Sequence, residues 1–190
     1  MKSIIVTGGT KGIGRAIVDK FAQEQYQVFT CARSEDESLK GISNVHFFKA
    51  DLSQRNEVLA FADFVRQHTE SVDILVNNTG FFIPGQIHNE EEGTLEAMIE
   101  TNVYSAYHLT RKFVNKMIEL RSGHIFNICS TASITAYTNG GSYCISKFAL
   151  LGMSKVLREE LKPFNVRVTS ILPGATLTNS WAGVDLPTER

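Results

Sequence analysis

Tyr143 and Lys147 stand four residues apart in the stretch GSYCISKFALLGMSKVL. Four residues is about one helical turn, so the phenol and the ammonium project from the same face. A free phenol, with a pKa near ~10, is a poor acid at neutral pH. A cation held beside it favours the phenolate and lowers that pKa toward the working range, which makes the pair a candidate general acid and base. An isolated pair of this kind is more often a solvated helix surface. The opening of the chain gives it more weight. Residues 7–14 read TGGTKGIG, a glycine-rich turn after a short apolar run and before a helical pattern. Small residues let the backbone approach a pyrophosphate, and a helix N-terminus offers unpaired N–H groups and a positive dipole end. Thr7, Gly8, Thr10, Lys11, Gly12, Ile13 and Gly14 are therefore candidate dinucleotide-binding residues, against the plainer alternative of a glycine-rich connector.

Regular elements must carry these groups to one place. Residues 3–6 form a β-rich run that ends at the glycines, and Ile13, Ile17 and Phe21 then recur at helical spacing. Residues 27–31, 45–49, 73–76, 124–129 and 166–172 read as further strands. Residues 54–68 place Val58, Phe61, Ala62 and Val65 on one helical face, with Ser53 as the expected N-cap. Asn89 with Glu92 resembles a capping box opening a helical stretch to about residue 120, as one helix or as two broken near Asn102. A last helix is expected over 141–161. Strands separated by helix-length segments imply an α/β fold: a doubly wound, Rossmann-like parallel sheet with helices on both faces and right-handed crossovers. No repeat, low-complexity tract or linker interrupts it, so residues 1–190 are expected to form one domain.

In such sheets ligands gather at the C-terminal ends of the strands. At the end of the second strand, in TCARSEDE, an acidic residue would take the adenosine ribose and a basic one a 2′-phosphate. Arg33 falls at that point and Lys11 lies in the glycine turn, so the two cations favour NADP(H). Asp36 is a rival that would favour NAD, but it sits later, in the loop. Asn77 to Gly80, NNTG, leaves the fourth strand; Asn side chains there can tie neighbouring backbone, and Gly80 lets a cofactor approach. Ser130 ends the fifth strand, in HIFNICS, where a hydroxyl can hold a substrate oxygen while the phenol transfers the proton.

Composition narrows the alternatives. Hydrophobic residues make up 43% of the 190 and charged residues 21%, an ordinary globular balance. A net charge of −1 supplies no global field for nucleic acid or anionic membrane. Cys31, Cys129 and Cys144 are odd in number and lack metal spacing, which fits reduced thiols in a cytosolic protein. The five histidines form no HxH or HExxH pattern, so no metal site is expected. The start, MKSIIVTGG, reads as a strand and not a signal peptide, and no run approaches the ~20 apolar residues of a membrane span.

In order and register, these motifs resemble the short-chain dehydrogenase/reductase family in its compact form, from Ser3 to about Thr178. TGGTKGIG is similar to the family's TGxxxGIG, and NNTG, with Asn78 and Gly80, stands where the family usually has NNAG. The resemblance implies further site residues. Asp51–Leu52 matches the family's Asp–apolar pair after the third strand that contacts adenine. Asn102, Ser130, Tyr143 and Lys147 fall where the catalytic tetrad would. Pro173, Gly174, Thr176 and Thr178 fall in the PGxxxT segment that contacts the nicotinamide carboxamide. By the same resemblance, Lys147 would also hydrogen-bond the nicotinamide ribose, and Asn102 would position a water linking Lys147 to solvent. Family members commonly continue for another helix and strand, whereas this chain stops at Arg190, so the sheet is expected to lack the family's last strand.

The expectation is thus a cytosolic, NADP(H)-dependent oxidoreductase acting on a small carbonyl or secondary alcohol, as a homodimer or homotetramer. The alternative is a module that senses NADP(H) without turnover. The substrate's walls would come from residues 81–84 and 134–137, and from Leu177 and Trp181, which suggests an apolar, aromatic pocket.

Overall fold

In this computed structural model, residues 1–176 are described. Six strands form one sheet: β1 (Ser3–Thr7), β2 (Gln27–Ala32), β3 (Val45–Lys49), β4 (Ile74–Asn77), β5 (Gly123–Ile128) and β6 (Val166–Ile171). Every neighbouring pair is parallel, in the order β3-β2-β1-β4-β5-β6. Among the described residues, five α-helices accompany them: α1 (Gly12–Gln23), α2 (Arg55–His68), α3 (Thr94–Ile99), α4 (Ser105–Leu120) and α5 (Gly141–Leu161).

The inner strands β1, β2 and β4 are buried along most of their length because both of their faces are covered. Successive side chains alternate between faces. Ile5 of β1 joins Phe29, Leu75 and Ile125 in one core, closed by Val58, Phe61 and Val65 of α2 and Leu109, Phe113 and Met117 of α4. Ile4 and Val6 join Val28, Val76 and Ile128 in the other, closed by Val18 and Ala22 of α1. The chain runs outward from β1 to β3, then returns to lay β4 on the other side of β1. At that switch the loops leaving β1 and β4 part and open a crevice.

Two expected caps are formed differently. The N-cap of α2 is Gln54, not Ser53; the Ser53 N–H donates to Asp51 Oδ1 at 3.0 Å, and Glu57 reaches back to the Asp51 N–H at 2.6 Å. Asn89 and Glu92 make no capping box either. The first turn of α3 starts at Thr94, after Gly93 at φ 85°, and Asn89 Oδ1 accepts from the Gln86 N–H. Near Asn102 the helical stretch does not break. It passes through a π turn, Glu100–Tyr104, and runs on into α4. The question of a strand after β6 concerns residues outside those described.

Candidate active site

The turn after β1 is shaped by close backbone contacts. Gly8 has φ 68°, and a Cβ on Gly14 would stand 2.3 Å from the Gly8 carbonyl oxygen, so only glycine fits there. Asn78 locks the turn to the end of β4: its Nδ2 donates to the carbonyls of Thr7 at 2.8 Å and Gly8 at 3.3 Å. Thr7 completes the lock by accepting the N–H groups of Asn78 and Thr79, both at 2.9 Å. Thr7 therefore sits behind the surface, holding the turn together.

In front of the lock lies a cavity of about 1180 Å³ along the C-terminal ends of the strands. That is ample for a dinucleotide and a small substrate, given that pockets of about 300–1,000 Å³ hold drug-sized ligands. Gly12, Ile13 and Gly14 bring the start of α1 to its wall, with Gly8, Thr10 and Lys11 beside them. Arg33, Asp51 and Leu52 line it at the ends of β2 and β3, and Asn78 and Gly80 after β4. Pro173, Gly174 and Thr176 close it beyond β6. Arg33 and Lys11 are exposed. Asp36 is outside the lining, because its carboxylate takes Arg15 at 2.7 Å and the Ser38 N–H at 2.9 Å. Thr178, Leu177 and Trp181 lie outside the described residues.

Ser130, Tyr143 and Lys147 meet at the other end of the same cavity. Ser130 follows β5, and its position is fixed by a reciprocal pair: its Oγ accepts from the Ala132 N–H, and its own N–H donates to Ser133 Oγ, each at 3.1 Å. Its hydroxyl stands close enough to the Tyr143 phenol to pull that group's pKa down. The Tyr143 ring packs edge-on against Phe82, with centroids 4.9 Å apart. Lys147 is buried, and its Nζ donates to the Ile128 carbonyl at 2.9 Å. That nitrogen lies 5.7 Å from the centre of the Tyr143 ring.

The titration of this pair differs from the expectation. Burial pushes the Tyr143 phenol up, against the downward pull of the Ser130 hydroxyl. Burial also pushes Lys147 down, to about 8, partly opposed by the neighbouring Cys129. Each group is driven toward its neutral form because neither keeps enough water to carry charge cheaply. The one-turn spacing on α5 brought the groups together but left out the cost of enclosing both.

Asn102 does not line the cavity. Its Nδ2 donates to the Phe81 carbonyl at 3.1 Å and to Ser146 Oγ at 3.0 Å, while its Oδ1 accepts the Phe81 N–H at 2.9 Å. It braces the segment after β4 against α5. Gly80 makes that possible, since a Cβ there would stand 3.1 Å from Asn102 Oδ1. Of the expected apolar walls, Phe81, Phe82, Pro84 and Tyr137 line the cavity, whereas Ile83 and Ile134 face solvent at 41% and 60% exposure. Burial lifts the Tyr137 phenol to about 12. Glu100, Thr101 and Asn139 also reach the cavity, and nothing in their local sequence marks them. Among the described residues, no three His, Cys, Asp or Glu side chains cluster to hold a metal, and no helix is long and apolar enough to cross a membrane.

Comparison with known proteins agrees with this geometry. A family model described as short chain dehydrogenase matches residues 2–187. An uncharacterized oxidoreductase of Bacillus subtilis (strain 168), YvrD, is 36% identical over 187 residues, which is 95% of this chain and 71% of that protein. A sepiapterin reductase of Chlorobaculum tepidum is 32% identical over 196 residues, 96% of this chain and 80% of the relative. Among solved structures, a short-chain dehydrogenase from Streptomyces avermitilis superposes with a TM-score of 0.88 at 30% identity, over 94% of this chain and 67% of that one.

Proposed function

The chain belongs to the short-chain dehydrogenase family of oxidoreductases, and from that premise we propose that it is an NADP(H)-dependent enzyme interconverting a small carbonyl and its secondary alcohol. The observation that carries this reading is the meeting of the Ser130 and Tyr143 hydroxyls, beside buried Lys147, in the same cavity as the glycine turn. A cofactor fits the residues present: Gly14 is packed so that no side chain can intrude on the turn, and the exposed cations Arg33 and Lys11 line the same cavity and would suit a 2′-phosphate. When bound, the nicotinamide supplies the hydride.

The chain's own groups do the rest. Tyr143 holds the proton that the carbonyl oxygen takes up in reduction and removes it from the alcohol in oxidation. Ser130, beside that phenol, orients the substrate oxygen and steadies the charge that develops on it. Burial keeps the phenol protonated at neutral pH, the form that carbonyl reduction requires. Lys147 offsets the phenolate as the proton leaves. Asn102 holds Phe81 and α5 in register and so keeps the wall in place. Phe82 and Tyr137 favour an apolar, flat substrate beside the phenol.

Residues Tyr104, Tyr107, Ile145, Phe148 and Val156, large and exposed on and before the two long helices, favour a homodimer or homotetramer that covers them. Light scattering at micromolar concentration reads this directly, and a monomer contradicts it. The catalytic reading is tested by NADPH oxidation against a panel of aldehydes, ketones and diketones. Turnover of at least one supports it, and binding of NADPH with turnover of none points to a sensor.

A further inference from the structure

Resting on the reading of Tyr143 as the acid, we propose that Glu90 is a positioning residue, which fixes Tyr143 by capping α5 from across the fold. Helix α5 begins at Gly141, and Gly140 before it provides no side-chain cap. Glu90 supplies one from 52 residues away. Its Oε1 accepts the Ser142 N–H at 2.9 Å, and its Oε2 accepts the Ser142 hydroxyl. Tyr143 is the next residue. A carboxylate here satisfies one of the helix's unpaired donors and lies at the positive end of its dipole.

The surroundings are built around this carboxylate. A Cβ on Gly141 would stand 2.1 Å from Glu90 Oε1, and one on Gly85 would stand 2.6 Å from Glu90 Cγ. Further contacts extend the clasp. The Gly85 N–H donates to the Asn139 carbonyl at 3.1 Å, Gln86 Nε2 donates to Asn139 Oδ1 at 2.9 Å, and Gly85 bridges Gly140 in parallel. The segment bearing Phe81, Phe82 and Pro84 is thereby fastened to the one bearing Tyr137 and Tyr143. Two walls of the substrate end and the proton donor hold one geometry through Glu90. The α1 end of the cavity has no part in the clasp.

Such a residue acts on turnover, because displacing a reacting group by about 1 Å costs about 10²-fold in rate. The test pairs NADPH oxidation, with a carbonyl that the wild type reduces, with amide hydrogen exchange over residues 85–90 and 139–144. Glu90→Ala is expected to lower kcat roughly 10- to 100-fold, to leave NADPH affinity unchanged, and to speed exchange in both segments. Glu90→Gln keeps an oxygen for the Ser142 N–H and an amide for its hydroxyl, so it restores most of kcat. Gly141→Ala displaces the carboxylate while leaving Glu90 in the chain, and reproduces Glu90→Ala. Glu92→Ala, on an exposed neighbour, leaves all readings as in wild type. A Glu90→Ala enzyme with wild-type kcat, or one losing NADPH affinity as much as kcat, overturns the proposal. Wild-type exchange at 141–144 in that variant overturns it without touching the reading of Tyr143. A wild type that reduces no carbonyl removes that reading and the positioning role with it.

Discussion

Helices α1 and α5 both start without a side-chain cap of their own, yet their N-termini are finished in opposite ways. At α1 a lysine occupies the N-cap position, the first turn holds no acidic residue, and Gly12, Ile13 and Gly14 form part of the cavity wall. At α5 a carboxylate arrives from Glu90 and takes the Ser142 N–H and hydroxyl. The same feature, a positive helix end with unpaired donors, is kept clear of carboxylate at α1 and satisfied at α5. The difference fits two duties. On the function proposed above, one end would receive a phosphate group and the other would hold a phenol still.

That contrast can be broken at either end. The largest effect on cofactor affinity is expected at the α1 side. One charge-assisted contact to phosphate contributes about 1.5–3 kcal/mol, so Arg33→Ala should weaken NADPH roughly 10- to 100-fold and leave NADH nearly unchanged. Fluorescence titration of both cofactors measures this. Equal affinities of the wild type for NADPH and NADH would contradict the assignment of Arg33 and Lys11.

A smaller effect is expected at the α5 side, from Lys147. Burial lowers its pKa from 10.5 to about 8. Between those values the unfolded chain holds a proton that the folded protein has released, so this residue makes stability rise with pH across that window. Below about pH 8 the cost of burying the ammonium is present in full. The raised Tyr143 pKa works in the other direction, and only from its ordinary value of 10.0 upward. Lysine ε-carbon NMR should find one lysine titrating near 8, a signal absent in Lys147→Met. A full set of lysines titrating near 10.5 would remove the claim that this ammonium is enclosed.

The same contrast explains what could be read from the chain. The bounds of β3 and α5 were legible because their apolar spacing and flanking residues are local, and so was the one-turn relation of Tyr143 and Lys147. The glycine turn was legible because Gly8 and Gly14 stand where only glycine fits, although Asn78 from beyond β4 locks it. Caps were not. Ser53, Asn89 and Glu92 had the right types at the right spacing, but the helices start one residue and several residues later, behind Gln54 and Gly93, and Asn89 Oδ1 is taken by the Gln86 N–H. The cap of α5 lies 52 residues away, where no local pattern reaches. The direction of the Tyr143 shift was hidden for a similar reason. It is set mainly by burial of the phenol in the fold, and not by Lys147 one turn along the helix. Asn102 and Thr7 carried suitable groups, but their partners in the fold were Phe81, Ser146, Asn78 and Thr79.

The central claim is that Tyr143 donates the proton in an NADPH-dependent reduction. The most direct measurement compares Tyr143→Phe with wild type for NADPH oxidation by the best carbonyl of the panel, alongside NADPH affinity. The ring still packs against Phe82 in the variant, and only the titratable proton is lost. Turnover is expected to fall by about 10²–10⁴ with NADPH affinity little changed. Near-normal turnover in Tyr143→Phe would show that another group is the acid.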